Sequence, residues 1–175
     1  MWLSYYVIKV TNRPVGVEVI ISMKDIIIRK AKLDDLPILL NFEQEIIEYE
    51  RPFEEKMITE KFNYYDLKKL IQSEDSEVLV AKTNDQLIAS GYAKIKNSLH
   101  FLEDKQHAFL GFMFVAPEFR GKGVNQLVID ELIIWSKNKG MKEVALTVYD
   151  KNESAIRAYE KLGFQKNIIE MRMGL

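Results

Sequence analysis

Arg120-Gly121-Lys122-Gly123 follows an apolar run and a proline within Phe109 to Asn125, which reads FLGFMFVAPEFRGKGVN. Residues of these types hold anions well. A helix opening just after the glycines has first-turn N–H groups with no partner inside the helix. They carry the positive end of its dipole, which suits phosphate above all. Arg120 and Lys122 add mobile positive charge. Gly121 and Gly123 lack a Cβ, so the chain can turn sharply and a ligand can approach the backbone closely. The same residues also suit an ordinary strand-to-helix turn, so the loop alone does not define a function.

Spacing sets aside two phosphate-binding signatures. A P-loop needs GxxxxGK followed by Ser or Thr, whereas Lys122 is followed by Gly123 and the upstream glycine is missing. A dinucleotide fingerprint needs GxGxxG, and the position three after Gly123 is Gln126.

Strands and helices alternate around this loop. Ile26 to Arg29 reads as a first core strand. Asp34 or Asp35 can cap a helix running to about Tyr49, with Pro37 in its first turn. Its apolar face is Leu36, Leu39, Leu40, Phe42, Ile46, Ile47 and Tyr49, which leaves Glu43, Gln44, Glu45 and Glu48 mostly solvated. Glu50-Arg51-Pro52-Phe53 breaks that helix, and a short one over Asp66 to Gln72 follows. Glu77 to Lys82 and Leu87 to Lys96 form an antiparallel hairpin, and 97–106 is a loop. His107 to Val115 is almost free of polar residues, as expected for a central strand buried on both faces. The glycine-loop helix runs to about Lys139 with Gly140 as its C-terminal cap. A strand from Lys142 to Tyr149, an Asn152-capped helix from Glu153 to Leu162 closed by Gly163, and a final strand from Ile168 to Met173 complete the order. Residues 1–23 read as a hairpin of Tyr5 to Val10 and Val15 to Ile21, or as an extension upstream of a natural start at Met23.

With 175 residues, 47% hydrophobic and 29% charged, the chain fits one domain, 1–175, whose core is 24–175. Formal net charge of -1 argues against a mainly electrostatic nucleic-acid binder. With no cysteine, disulfides, thiolate catalysis and zinc–cysteine sites are excluded, and two histidines argue against a multi-histidine metal centre. Neither a membrane-spanning run nor a signal-peptide pattern is present, which makes the cytoplasm the expected location.

Two blocks and their spacing resemble the GNAT superfamily of acyl-CoA-dependent N-acetyltransferases, over about Asp25 to Leu175. Val115 to Val124, VAPEFRGKGV, is similar to the family's strand and pyrophosphate loop: Gln or Arg, two residues, glycine, one residue, then glycine or alanine. Asn152 to Phe164, NESAIRAYEKLGF, is close to its second conserved block, about thirty residues downstream. Glu118 stands where Gln or Arg is usual, Asn125 where a small residue is common, and little chain follows Gly163.

The resemblance implies an α/β (α+β) fold, a splayed mixed sheet flanked by helices, with acetyl-CoA as cosubstrate in the opening and no metal. Met113, Phe114 and Val115 would offer backbone to the pantetheine. Arg120, Gly121, Lys122, Gly123, Val124 and Asn125 would hold the pyrophosphate, with Asn152, Ala155 and Tyr159 completing the cofactor site. Tyr159 matches the tyrosine that protonates the leaving thiolate. Glu43, Glu50, Glu103 and His107 are candidate bases, and Glu43, Glu50, Arg51 and Tyr92 candidate acceptor-pocket residues. The implied activity is acetyl transfer to a primary amine, on a small molecule or peptide, by direct attack in a ternary complex. A different acyl-CoA, or a CoA-binding module without turnover, are the alternatives. A homodimer is compatible, and no nucleic-acid or membrane partner is expected.

Overall fold

The computed structural model describes residues 25–84 and 86–175. Its centre is three long antiparallel strands, β2 (Ser76–Thr83), β3 (Gln86–Asn97) and β4 (Gln106–Val115). Here β1 is Ile27–Lys30, antiparallel to β2, and β5 is Val144–Ala145, parallel to β4, so the sheet order is β1-β2-β3-β4-β5. The expected mixed sheet is therefore present. The N-terminal hairpin lies outside the described residues.

Among the described residues four α-helices cover the sheet: α1 (Leu36–Glu50), α2 (Leu67–Gln72), α3 (Val124–Asn138) and α4 (Glu153–Lys161). Phe114 of β4 stacks on Phe42 of α1 with ring centroids 4.1 Å apart. A Cβ placed on Gly91 would meet Met113 and Val128 of α3. Ser90 pairs with Phe114 and directly precedes Gly91, and consecutive strand residues face opposite ways. Thus α1 and α3 lie on opposite faces. Leu39, Val80, Ile88, Phe112, Ile129 and Leu132 are buried between these layers. Among the described residues no helix is long and apolar enough to cross a membrane.

Three elements differ from the sequence-based expectation. Asp35 stands at the N-cap of α1 but makes no capping bond there. Its carboxylate instead takes two hydrogen bonds from Arg29, at 2.7 and 2.8 Å, and one from the Lys32 N–H at 2.7 Å. That pairing holds the Asp35 carboxyl below the usual carboxylate range and ties β1 to the turn before α1. The strand expected over Lys142 to Tyr149 is reduced to two residues, because β4 diverges and offers no further ladder. Ile168 to Met173 forms no strand: it pairs with no strand among the described residues, and Ile168, Met171 and Met173 are exposed.

The long strands carry one irregularity. Ser90 pairs with Phe114 and Tyr92 with Gly111, so Phe112 and Met113 together oppose Gly91 in a β-bulge. Phe112 has a φ of 57°, a left-handed conformation unusual for an aromatic residue. Tyr92 lies across Gly111, where a Cβ would fall 2.5 Å from its hydroxyl oxygen. Gly111→Ala should therefore destabilise the fold by about 1–3 kcal/mol through overpacking. Urea unfolding checks this, and an unchanged midpoint would show that Tyr92 moves aside freely.

Candidate active site

Past Ala108↔Val144 and Phe109↔Ala145, β4 and β5 have no further pairing, so the sheet opens beside the bulge. Burying unpaired backbone groups is costly, which makes such an opening a natural place for a ligand with amides of its own. The bulge itself is held from the other side. Phe112 N–H donates to the Tyr65 hydroxyl at 3.4 Å, and Ser90 Oγ donates to the Phe112 carbonyl at 3.2 Å.

At the end of β4 the chain turns through Pro117–Phe119 and reaches α3 by way of Gly121 and Gly123, with φ of 71° and 82°. Gly123 is the N-cap of α3 and brings no side chain to its first N–H groups. A Cβ on Gly121 would have no atom within 4 Å, so that part of the loop is open. Arg120 and Lys122 are drawn inward. Arg120 Nε donates to the Val115 carbonyl at 2.9 Å while its guanidinium lies 5.3 Å from the Tyr49 ring centroid. Lys122 Nζ donates to the Glu118 carbonyl. Val124 is buried at the start of α3, and Asn125 is half-buried.

The opposite wall is α4. Buried Asn152 caps it, accepting from the Ala155 N–H at 3.2 Å and from Ser154 Oγ at 3.1 Å. Ser154 Oγ also lies 3.3 Å from the Tyr49 hydroxyl, which ties α4 to α1. Ala155 and Tyr159 are half-buried, with Tyr159 packed edge-on to Phe164 at 5.9 Å. Burial, reinforced by the charge of Glu50, pushes the Tyr159 phenol up to about 12. The phenol therefore keeps its proton at neutral pH.

Glu50 ends α1 within a group of tyrosines. Burial raises its carboxyl above the ordinary value, and a hydrogen bond with Tyr64 partly offsets this. Burial, the Glu50 charge and a hydrogen bond with Tyr149 raise the Tyr64 phenol well beyond its usual range. Tyr65 is raised in turn, by burial first and then by Tyr92, with Glu50 contributing. The charge of Glu50 thus acts on Tyr64, Tyr65 and Tyr159.

The other candidates stand elsewhere. Glu43, expected at a solvated position and considered for the acceptor pocket, is completely buried. Its two oxygens accept from Asn63 Nδ2 and from the Tyr65 N–H, the latter at 2.8 Å. It anchors the segment before α2, because an uncovered N–H there would be costly. Arg51 is turned to Glu48 at 2.9 Å and to the Ile58 carbonyl at 2.7 Å. Tyr92 is buried edge-on to Tyr65, with ring centroids 5.4 Å apart. His107 Nδ1 lies 3.0 Å from Ser98 Oγ at the far end of β4, five residues and roughly 16 Å from the bulge. Glu103 is exposed in the preceding loop. Among the described residues no group of three His, Cys, Asp or Glu side chains is arranged to hold a metal.

Sequence reasoning missed Tyr64, Tyr65 and Tyr149. The only signal was an aromatic pair in an otherwise polar segment, Asn63-Tyr64-Tyr65-Asp66.

A splayed sheet, a glycine-turned helix start and an Asn152-capped helix make up the candidate site. The acetyltransferase (GNAT) family model matches residues 41–164, and the chain belongs to that family. It is 34% identical over 70 residues to an uncharacterized N-acetyltransferase of Methanocaldococcus jannaschii, covering 40% of this chain and 31% of that protein. The chain thus spans under a third of that relative's length. Similarity to a thialysine N-epsilon-acetyltransferase of Sus scrofa is 25% over 148 residues, covering 81% and 85%. A Bacillus halodurans protein of known structure superposes with a TM-score of 0.78 at 21% identity, over 85% of this chain and 99% of that one. A predicted acetyltransferase of Clostridium acetobutylicum, solved with acetyl-CoA, superposes at 0.63 with 17% identity, over 85% and 96%. At such identities these two structures establish the fold.

The geometry makes Glu43 a structural support of the site. Glu43→Ala should cost about 3 kcal/mol, since it leaves the Tyr65 N–H buried without a partner. Glu43→Gln, which keeps one acceptor, should cost less. Chemical denaturation of both variants checks the order, and equal stability of Glu43→Ala and wild type would remove this role.

Proposed function

We propose that this chain transfers the acetyl group of acetyl-CoA to a primary amine by direct attack in a ternary complex. The observation that carries the reading is the parting of β4 from β5 beside the glycine-turned start of α3. The Asn152-capped helix and Tyr159 form the facing wall. The chemistry of these residues suits acetyl-CoA. A pantetheine arm has two amides and can pair with the backbone of Met113, Phe114 and Val115 on the side where β5 no longer pairs. A pyrophosphate suits the uncapped N–H groups at Val124 and Asn125, with Gly121 and Gly123 giving close access. Arg120 and Lys122 supply positive charge, with N–H donors left over from their bonds to the Val115 and Glu118 carbonyls.

Acetyl-CoA brings an activated thioester. In the transfer a bond forms from the amine nitrogen to the carbonyl carbon and the carbon–sulfur bond breaks. The amine loses one proton and the thiolate gains one. A backbone N–H of β4 other than that of Phe112, which donates to Tyr65, would stabilise negative charge on the carbonyl oxygen. Tyr159, protonated throughout the working pH range, donates a hydrogen bond or its proton to the thiolate. Glu50, with its carboxyl raised by burial, is the carboxylate whose charge reaches Tyr159, which makes it the candidate to take the amine proton.

Tyr159→Phe tests the assignment. It should lower kcat by about 10- to 100-fold in a thiol-release assay while leaving the acetyl-CoA KM nearly unchanged. An unchanged kcat would rule the acid role out. If the wild-type protein binds CoA yet releases no thiol with any amine, it is a CoA-binding module and the proposal is wrong.

A further inference from the structure

Backbone groups along β4 turn alternately to its two sides, and the bulge changes which residues face which. Before it, Ala108 donates its N–H to the Glu143 carbonyl at 3.0 Å, so the even-numbered residues face β5. Beyond it, Ala116 donates to the Ile88 carbonyl at 2.8 Å, so the even-numbered residues face β3. Met113 and Val115 therefore turn their backbone groups away from β3 and toward the opening, and the Val115 carbonyl accordingly accepts from Arg120 at 2.9 Å. Phe112 is the residue at which the phase shifts. Side chains hold both of its backbone groups: its N–H donates to the Tyr65 hydroxyl at 3.4 Å, and its carbonyl accepts from Ser90 Oγ at 3.2 Å.

Tyr65 is itself fixed from several directions. Its N–H donates to Glu43 at 2.8 Å, and the next residue, Asp66, caps α2 by accepting from the Lys69 N–H at 2.9 Å. The ring stands edge-on to Tyr92 and to Phe112, with centroids 5.4 and 5.7 Å away. None of these contacts uses the hydroxyl. Its one hydrogen bond among the described residues is with the bulge, so a ring of the same shape without it would pack as well and leave the Phe112 N–H unheld.

We propose that Tyr65 is a positioning residue for acetyl transfer: by holding the Phe112 N–H it fixes the phase shift that turns the Met113 N–H into the opening, toward the thioester oxygen. This rests on the acetyltransferase reading and adds to it a residue from the segment before α2. An N–H aimed at an oxygen that gains charge only in the transition state acts on kcat. Pyrophosphate held at the glycine loop is bound equally before and during the reaction, so the acetyl-CoA KM depends little on that aim.

Tyr65→Phe keeps the ring and removes the acceptor. In thiol release from acetyl-CoA it should lower kcat by about tenfold, with the acetyl-CoA KM within about twofold of wild type and the shape of the pH profile unchanged. Ser90→Ala frees the Phe112 carbonyl at the same bulge and should lower kcat too. The double variant should then fall by less than the product of the two, because both act through one piece of backbone. Amide exchange of Phe112, followed by NMR, needs no turnover: it should be slow in wild type and about tenfold faster in Tyr65→Phe. Unprotected exchange at Phe112 in wild type overturns the inference, a measurement that needs no variant. So does unchanged exchange in Tyr65→Phe, a kcat within about twofold of wild type in a Tyr65→Phe protein that still binds CoA, or a fully multiplicative double variant. Wild-type protein that releases no thiol with any amine refutes the transferase reading instead, and Phe112 exchange then still decides whether Tyr65 holds the bulge.

Discussion

The β-bulge in β4 is the constraint on which the rest of the site depends. Two residues, Phe112 and Met113, occupy the space opposite the single residue Gly91, so the strand twists there. Its pairing with β5 ends just before that point, at Phe109. A left-handed conformation at a phenylalanine costs of order 1–3 kcal/mol and persists only where its surroundings over-determine it. The surroundings do so here. Ser90 holds the Phe112 carbonyl, Tyr65 holds its N–H, and Tyr92 lies against the bare face of Gly111. Tyr65 is positioned in turn by Glu43, a buried carboxylate one helix away. A chain of contacts from α1 through the segment before α2 thus fixes the backbone at which the cleft opens.

The cleft is electrically divided. At the α3 end are unpaired helix N–H groups and two basic side chains, an environment for phosphate. At the α1 end is Glu50 among phenols, an environment for a cation. The two are joined by Tyr49, whose ring receives Arg120 on one side and whose hydroxyl meets Ser154 of α4 on the other. In the proposed transfer, an anionic cosubstrate would be drawn to the α3 end. Complementary fields of this kind favour correct orientation as much as affinity.

Much of this was legible in the sequence where local rules coincide with tertiary structure. Asn152 caps α4 and Gly140 and Gly163 adopt positive φ after their helices, because these positions depend on neighbouring backbone alone. The long strands were readable from apolar runs and turn residues, within one or two positions. Glu43 was misread because helical spacing shows which face is apolar and carries no record of a distant Asn63 and Tyr65 that can satisfy a buried carboxylate. Asp35 was misread for a related reason: Arg29 outcompetes the helix N–H groups for its oxygens. The strands expected at 142–149 and 168–173 have suitable residues, yet a strand exists only where a neighbour supplies a ladder. Tyr64 and Tyr149 could not be placed beside Glu50 at all, since they come from segments far apart in the chain.

The two cations that first drew attention to the glycine loop have a narrower part than their charge suggests. Arg120 already bonds the Val115 carbonyl, and Lys122 already bonds the Glu118 carbonyl. The guanidinium keeps four further N–H donors and the ammonium two, while the carbonyl bonds fix where both charges stand. The first N–H groups of α3 are less engaged, because Gly123 leaves them without a side-chain cap. Under the proposed function, anion binding at this loop would rest on backbone geometry first, with glycine at 121 and 123 mattering more than any one basic residue. Glu118 joins the loop through its main chain, its carbonyl accepting from Lys122.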